Sequence, residues 1–229
     1  MNNPAPPLVD EEIIERARNT RFPSPLVSHL EKLSNADKIA AIAEKFRDIM
    51  EILGLDVADE SLQYTPHRVA KMYVEEVFSG LDPETFPKVC LFEDRFQEEP
   101  IAGKPHSNMV FLKVNFNSFC EHHFVPMSGT ASIAYIPNGK LFGFSTIPRI
   151  VRFFAKRPQV QERLTAQIAD ALSILSGSKD IAVSLHAQHQ CMVIRATESE
   201  NSYVVTNTLL GAFETDAALR KEFLEFFAK

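Results

Sequence analysis

Cys120-Glu121-His122-His123 and, far downstream, His189-Gln190-Cys191 supply the residue types that hold and use a metal ion. Thiolate and imidazole are the ligands zinc favours. Cys120, His123 and Cys191 would fill three tetrahedral positions and leave the fourth for water, the pattern of a catalytic site. If residues 189–195 run as a strand, His189, Cys191, Val193 and Arg195 share one face, whereas His186 projects to the other. His189 then stands beside the metal without binding it, and His122 adjoins two ligands. Two imidazoles flanking an activated water suit hydrolysis with proton transfer to and from a heterocycle. The alternative is packing: a Cys-x-x-His pair alone is more often a core or surface feature, and only the distant His-x-Cys shifts the balance. Cys90 has no ligand type beside it and reads as a small buried hydrophobe. His29, His67, His106 and His186 read as surface or satisfied histidines.

A second cluster runs Ser145-Thr146-Ile147-Pro148-Arg149-Ile150-Val151-Arg152 and on through Lys156-Arg157. Its basic residues, behind a serine placed to cap a helix, suit a phosphate site. The competing reading is a solvated helix face with arginine stems lying over Phe153 and Phe154. Glu162 falls two residues off the apolar stripe that begins at Val160, which fits either a surface carboxylate or one held for ligand recognition.

These residues need a folded frame, and the composition provides for one. The chain has 229 residues, 45% hydrophobic and 24% charged, enough to bury a core in one or two domains. With 24 Lys+Arg against 30 Asp+Glu the formal charge is −6, which argues against binding a nucleic acid polymer while leaving room for a local anion pocket. No apolar run is long enough to span a bilayer and the N-terminus has no export signal, so the expected location is the cytoplasm, with the three cysteines reduced.

Residues 1–30 hold five of the fourteen prolines and read as a mobile or partner-docked arm with a short polar stretch, Val9–Arg18, able to form a helix. Ile39, Ile42, Phe46, Ile49, Met50 and Leu53 follow helical spacing up to Gly54. Thr65-Pro66 reads as a capping side chain before a proline at the first helical position, opening a helix to Gly80. Strands are expected at Val110–Ser118, at Thr130–Ile136 and Leu141–Ser145 as a hairpin turning at Pro137-Asn138-Gly139, and at Ile181–Ala187, Cys191–Thr197 and Tyr203–Leu209. Helices are expected near Pro148–Ala155, from Pro158 to Gly177, and over Ala217–Phe227. Helices first, then strands with helices between them, imply an α+β fold with an antiparallel sheet.

Cys120-Glu121-His122-His123-Phe124, Ala134-Tyr135-Ile136-Pro137, Arg157-Pro158-Gln159-Val160-Gln161-Glu162-Arg163-Leu164-Thr165 and His189-Gln190-Cys191, in this order and spacing, resemble GTP cyclohydrolase I. Thr65-Pro66-His67-Arg68-Val69-Ala70-Lys71-Met72-Tyr73 and Phe78-Ser79-Gly80-Leu81 resemble its N-terminal helical region, so the likeness covers roughly residues 36–227. The resemblance implies zinc on Cys120, His123 and Cys191, with His122 and His189 as catalytic histidines. It implies Glu162 at the guanine edge with Gln161 beside it, and Ser145, Arg149 and Arg195 at the ribose and triphosphate. Ser145 is a candidate proton carrier with His122, and Arg68 a phosphate ligand supplied by a neighbouring subunit. It further implies an arm at 1–35, a helical region at 36–82 and a tunnelling-fold (T-fold) catalytic domain at 83–229. That domain would have a four-stranded antiparallel sheet and two helices, closing into a barrel in a homodecamer of two pentamers. The implied reaction turns GTP into 7,8-dihydroneopterin triphosphate and formate. A variant with altered nucleotide preference and a non-catalytic zinc-bearing pterin or nucleotide binder are the alternatives. Downstream pathway and any regulatory protein partner are not readable from the residues. The chain departs from the family at Thr146, where a lysine is common, at Leu112-Lys113, where Arg-Asp is common, and in the run Tyr203-Val204-Val205-Thr206-Asn207-Thr208, where apolar residues replace hydroxyls of a threonine-rich run.

Overall fold

The computed structural model describes residues 9–27, 33–94, 109–194 and 202–227. Helix α1 (Glu11–Asn19) opens with the Asp10 carboxylate accepting from Glu12 N. It carries acids in its first turn and Arg16 and Arg18 in its last, matching the helix dipole. Its apolar side, Ile13, Ile14 and Ala17, packs onto the main core. Beyond it, Arg21 pairs with the buried Asp170, and Phe22 O accepts from Gln167 Nε2 at 2.7 Å. Residues 9–24 are thereby strapped to their own chain.

Helix α2 (Asn35–Ile52) is capped by Ser34 and closed by Gly54 at φ +82°, as its apolar spacing predicts. Only Ile39 and Met50 of that stripe are buried; Ile49, Ile52 and Leu53 remain exposed. Helix α3 (Thr65–Lys71) differs from expectation at its start. Tyr64 occupies the cap without a side-chain bond and Thr65 is already helical, because Thr65 N and Arg68 N bond to Leu62 O and Tyr64 O and close the turn one residue early. The helix then widens into a π turn over Met72–Val77 before Gly80, which lies so close to the chain at Phe153 that a Cβ there would sit 2.1 Å from Phe153 O.

The remaining elements are β1 (Leu91–Glu93), β2 (Val110–Cys120), β3 (Pro126–Tyr135), β4 (Lys140–Phe142), α4 (Thr146–Ala155), β5 (Pro158–Gln159), α5 (Gln161–Ser176), β6 (Ile181–His189), α6 (Gln190–Val193), β7 (Val204–Leu209), α7 (Ala212–Thr215) and α8 (Ala217–Phe227). Class α+β holds. The main sheet has the order β5-β2-β3-β6-β7: four antiparallel strands plus the two-residue β5, which runs parallel to the end of β2. The expected four-strand sheet therefore carries a short fifth strand. The expected β3–β4 hairpin is absent. Its turn exists, with Gly139 at φ +73°, but β3 is paired on both edges by β2 and β6. Lys140–Phe142 therefore pairs with Leu91–Glu93 as a separate ribbon.

One face of the sheet is dry. Val114, Phe116, Ile133, Val183 and Leu185 meet Ile147, Ile150 and Phe154 of α4 and Leu164, Ile168 and Leu172 of α5. Along β2 the alternate residues Lys113, Asn115 and Asn117 stay exposed, the period-two pattern of a one-sided strand. Helix α5 starts at Gln161 rather than Pro158, since Pro158-Gln159 is taken into pairing with Phe119-Cys120, and Gly177 ends it in left-handed conformation. Over Cys191–Ile194 the strand expected at Cys191–Thr197 is not formed: β3 begins at Pro126, in register with Gln190, so from Cys191 on it offers no residue to pair with, and Gln190–Val193 curls into one helical turn. Residues 195–197 lie outside the described residues.

Candidate active site

Cys120 is the last residue of β2 and continues its buried alternation with Val114, Phe116 and Ser118. The chain then reverses within a few residues: Phe124 N donates to Cys120 O at 2.9 Å and Cys120 N to Val125 O at 2.9 Å, with Phe124 at φ +52°. The reversal sets His123 Nδ1 3.6 Å from Cys120 Sγ. Cys191, on the helical turn after β6, completes a group whose three donor atoms all lie within 4.8 Å of one another. Zinc bonds of about 2.3 Å to sulfur and about 2.0 Å to nitrogen, at a tetrahedral angle, place those two atoms about 3.5 Å apart. The Cys120–His123 separation meets that value, so the donor set fits a metal ion. The common strand face that predicted this grouping does not exist; the turn of α6 delivers Cys191 instead.

His122 is 64% exposed on its side chain, with Nδ1 4.0 Å from Cys120 Sγ and Nε2 3.8 Å from Glu121 Oε1. His189 closes β6 opposite Met127, and its Nε2 lies 2.7 Å from Gln161 Oε1. Burial pulls its pKa below the usual histidine value, against an opposing pull from the Glu162 carboxylate. Glu162 is exposed in the first turn of α5, and the adjacent Gln161 is buried.

The basic cluster divides between its two readings. Arg149 donates from Nε to Ser145 O at 3.0 Å and from Nη2 to Ser145 Oγ at 3.2 Å, so these two are brought together at the start of α4. Arg149, Arg152 and Lys156 line a hollow of about 260 Å³ with Ser79, Gly80 and Thr85. Arg157 turns inward over Phe153 and Phe154 and donates to Gly80 O at 2.7 Å, and burial lowers its pKa to about 10. Thr146 is fully buried, with its hydroxyl oxygen unpartnered. Arg68 is exposed on α3, its guanidinium 5.9 Å from the Tyr64 ring centre. Arg195 lies outside the described residues. His186 lies against Tyr203, ring centres 4.1 Å apart, and Cys90 is a half-buried free thiol.

One pair had no place in the sequence reading. Arg163 grips Glu121 through two N–H···O contacts of 2.6 and 3.2 Å, both side chains 21% exposed, and holds the Glu121 carboxyl below the usual carboxylate range. The opposite charges stand inside the two motifs, but only the parallel pairing of β5 with β2, extended by Glu121 N donating to Gln159 O, brings them into contact.

The family model for GTP cyclohydrolase I matches residues 42–228. GTP cyclohydrolase 1 of Aeromonas hydrophila is 48% identical over 202 residues, covering 88% of each chain. The Vibrio cholerae protein of the same name is 47% identical over 190 residues, 82% of this chain and 84% of that one. GTP cyclohydrolase 1 of an Escherichia coli O1:K1 strain is 43% identical over 218 residues, 95% of this chain and 93% of that one.

Proposed function

The chain belongs to the GTP cyclohydrolase I family, and from that premise we propose how its residues carry out the reaction. It is an enzyme, a GTP cyclohydrolase that hydrolytically opens the guanine imidazole ring. Formate is released and the remainder rearranges to 7,8-dihydroneopterin triphosphate, the first step toward pterins and tetrahydrofolate. The observation that carries the assignment of residues is the convergence of the Cys120, His123 and Cys191 donor atoms, with His122 between two of these ligands in sequence and His189 two residues before the third.

Zinc is the metal this donor set suits, and once bound it supplies Lewis acidity and a water acidic enough to yield hydroxide near neutral pH. His189, set in a partly dry position, gives a proton to the ring nitrogen as the imidazole ring opens. His122, largely exposed, moves protons while the ribose opens and rearranges, with Ser145 as second carrier. Glu162, in the first turn of α5, accepts from N1–H and the 2-amino group of guanine together. Arg149, bonded to Ser145, and Arg195 hold the ribose and triphosphate, and Arg68 is given by a neighbouring copy.

The assembly belongs to the same proposal: a homodecamer of two pentamers, each subunit an arm at 1–35, a helical region at 36–82 and a T-fold catalytic domain at 83–229. Two features support it. Among the described residues β7 has no partner on its outer side and β2 is paired on that side only at Phe119-Cys120, so neighbouring copies have edges to join into a barrel. Exposed Ile49, Ile52 and Leu53 at the end of α2 leave apolar surface for a subunit contact. A cytoplasmic location is proposed; among the described residues no helix is long and apolar enough to cross a membrane. The test is formate and dihydropterin release from GTP by purified protein, with zinc quantified before and after chelation. Zinc-dependent turnover is expected, and bound zinc without turnover would turn the reading toward a nucleotide-binding role.

A further inference from the structure

The Gln161 side chain was expected at the substrate, yet its amide is engaged on all sides by this chain. Nε2 lies 3.1 Å from Leu185 O, 3.0 Å from Val204 O and 3.1 Å from Thr206 Oγ1. Two of these are carbonyl oxygens, which only accept, so the amide nitrogen and not its oxygen must face them. The hydroxyls agree with that orientation. Thr165 Oγ1 donates to Gln161 O at 2.8 Å, which uses its proton, so across the 2.6 Å contact it accepts from Thr206. Thr206 is then left to accept from Gln161 Nε2. The two protons of Nε2 serve three acceptors, so one is shared, and the two carbonyls alone fix the orientation.

With the amide so fixed, Oε1 is the atom facing His189 Nε2 at 2.7 Å. An amide oxygen has no proton to give, so Nε2 carries the hydrogen. We propose that Gln161 is a positioning residue that holds the His189 imidazole in its Nε2–H form. With Nε2 committed to Gln161, Nδ1 is the ring nitrogen left without a hydrogen. The anchor of the arrangement is buried, since Gln161 is 2% exposed and ties β6 and β7 to the first turn of α5. The inference rests on the reading of His189 as a proton carrier.

The experiment pairs a direct view of the proton with kinetics on the zinc-loaded enzyme. Neutron diffraction from deuterated crystals is expected to show deuterium on His189 Nε2, and a bare Nε2 overturns the proposal. Gln161→Met keeps the length and removes the acceptor. It is expected to lower kcat roughly 10–100-fold, with zinc content unchanged and KM for GTP moved less than about threefold. A rise in KM at unchanged kcat would instead make Gln161 a substrate ligand and overturn the proposal. Thr206→Val removes one partner of the amide without touching His189 and is expected to keep kcat within about threefold of the parent. A loss there as large as in Gln161→Met would mean the network only holds the fold. The neutron result does not depend on turnover, so full activity in His189→Ala would sink the proton-carrier reading separately.

Discussion

Replacing Arg163 by methionine tests how the metal-binding reversal is held. The arginine makes two charge-assisted contacts of 2.6 and 3.2 Å to a carboxylate that is about four-fifths covered, and that carboxylate sits between Cys120 and His122. A hydrogen bond to a charged group contributes about 1.5–3 kcal/mol, and removing one partner of a covered pair leaves the other charge without compensation. If all of that reaches the ligand geometry, zinc binding weakens by about 10–150-fold, which overlaps the roughly 10–100-fold that outer partners of metal ligands usually contribute. The expected result is 10–100-fold weaker zinc retention against a chromogenic chelator at neutral pH. Arg163 depresses the Glu121 pKa, so the pair's stabilisation is complete above the ordinary glutamate range and fades as pH falls through the lowered value. Parent and variant should therefore converge in acid. Zinc affinity within twofold of the parent, alongside a lowered melting temperature of the metal-free protein, would refute the reasoning and leave the pair as a staple between the reversal and α5.

Cys120→Ser and Cys191→Ser should each lose zinc by elemental analysis and lose formate release; full metal and full turnover in either would remove that residue from the ligand set. His122→Ala should keep its zinc and lose about 10²–10⁴ in kcat, the usual share of a proton-transfer group. Loss of zinc there would mean the adjacent histidines have exchanged roles. Gly129→Ala should unfold the sheet or lower its stability by about 3 kcal/mol or more in thermal denaturation, because the added Cβ would sit 2.1 Å from His186 O on the paired strand. An unshifted melting temperature would contradict the β3–β6 register.

Elements whose pattern is local were readable from the residues. Gly54 closes α2, and the alternation over Val110–Ser118 marks β2, because helix stops and one-sided burial act within a few positions. The misplacements came from pairing. Nothing in Lys140–Phe142 reveals that both edges of β3 are already taken, or that Pro158-Gln159 is drawn to β2 instead of opening α5. The donor set was legible for its chemistry, since thiols and imidazoles in Cys-x-x-His and His-x-Cys are few. The route by which Cys191 arrives was not, because it depends on where β3 runs out of residues. Glu121 with Arg163, and Gln161 with His189, were hidden for the same reason: each joins segments whose distance in the chain says nothing of their distance in the fold.

The strap formed by residues 9–24 bears on how the protein is made. Arg21 finds Asp170 across 149 positions of chain, and Phe22 waits for Gln167. A ribosome adding about 5–20 residues per second needs about 7–30 s to cover that interval. Throughout that time Ile13 and Ile14 have no core to enter, although Asp10 and the helix-end charges favour α1 from the start. Helix α1 is thus synthesised well before the α5 residues that hold its strap, and the nascent chain carries an amphipathic segment suited to transient capture by a chaperone until α5 has left the exit tunnel.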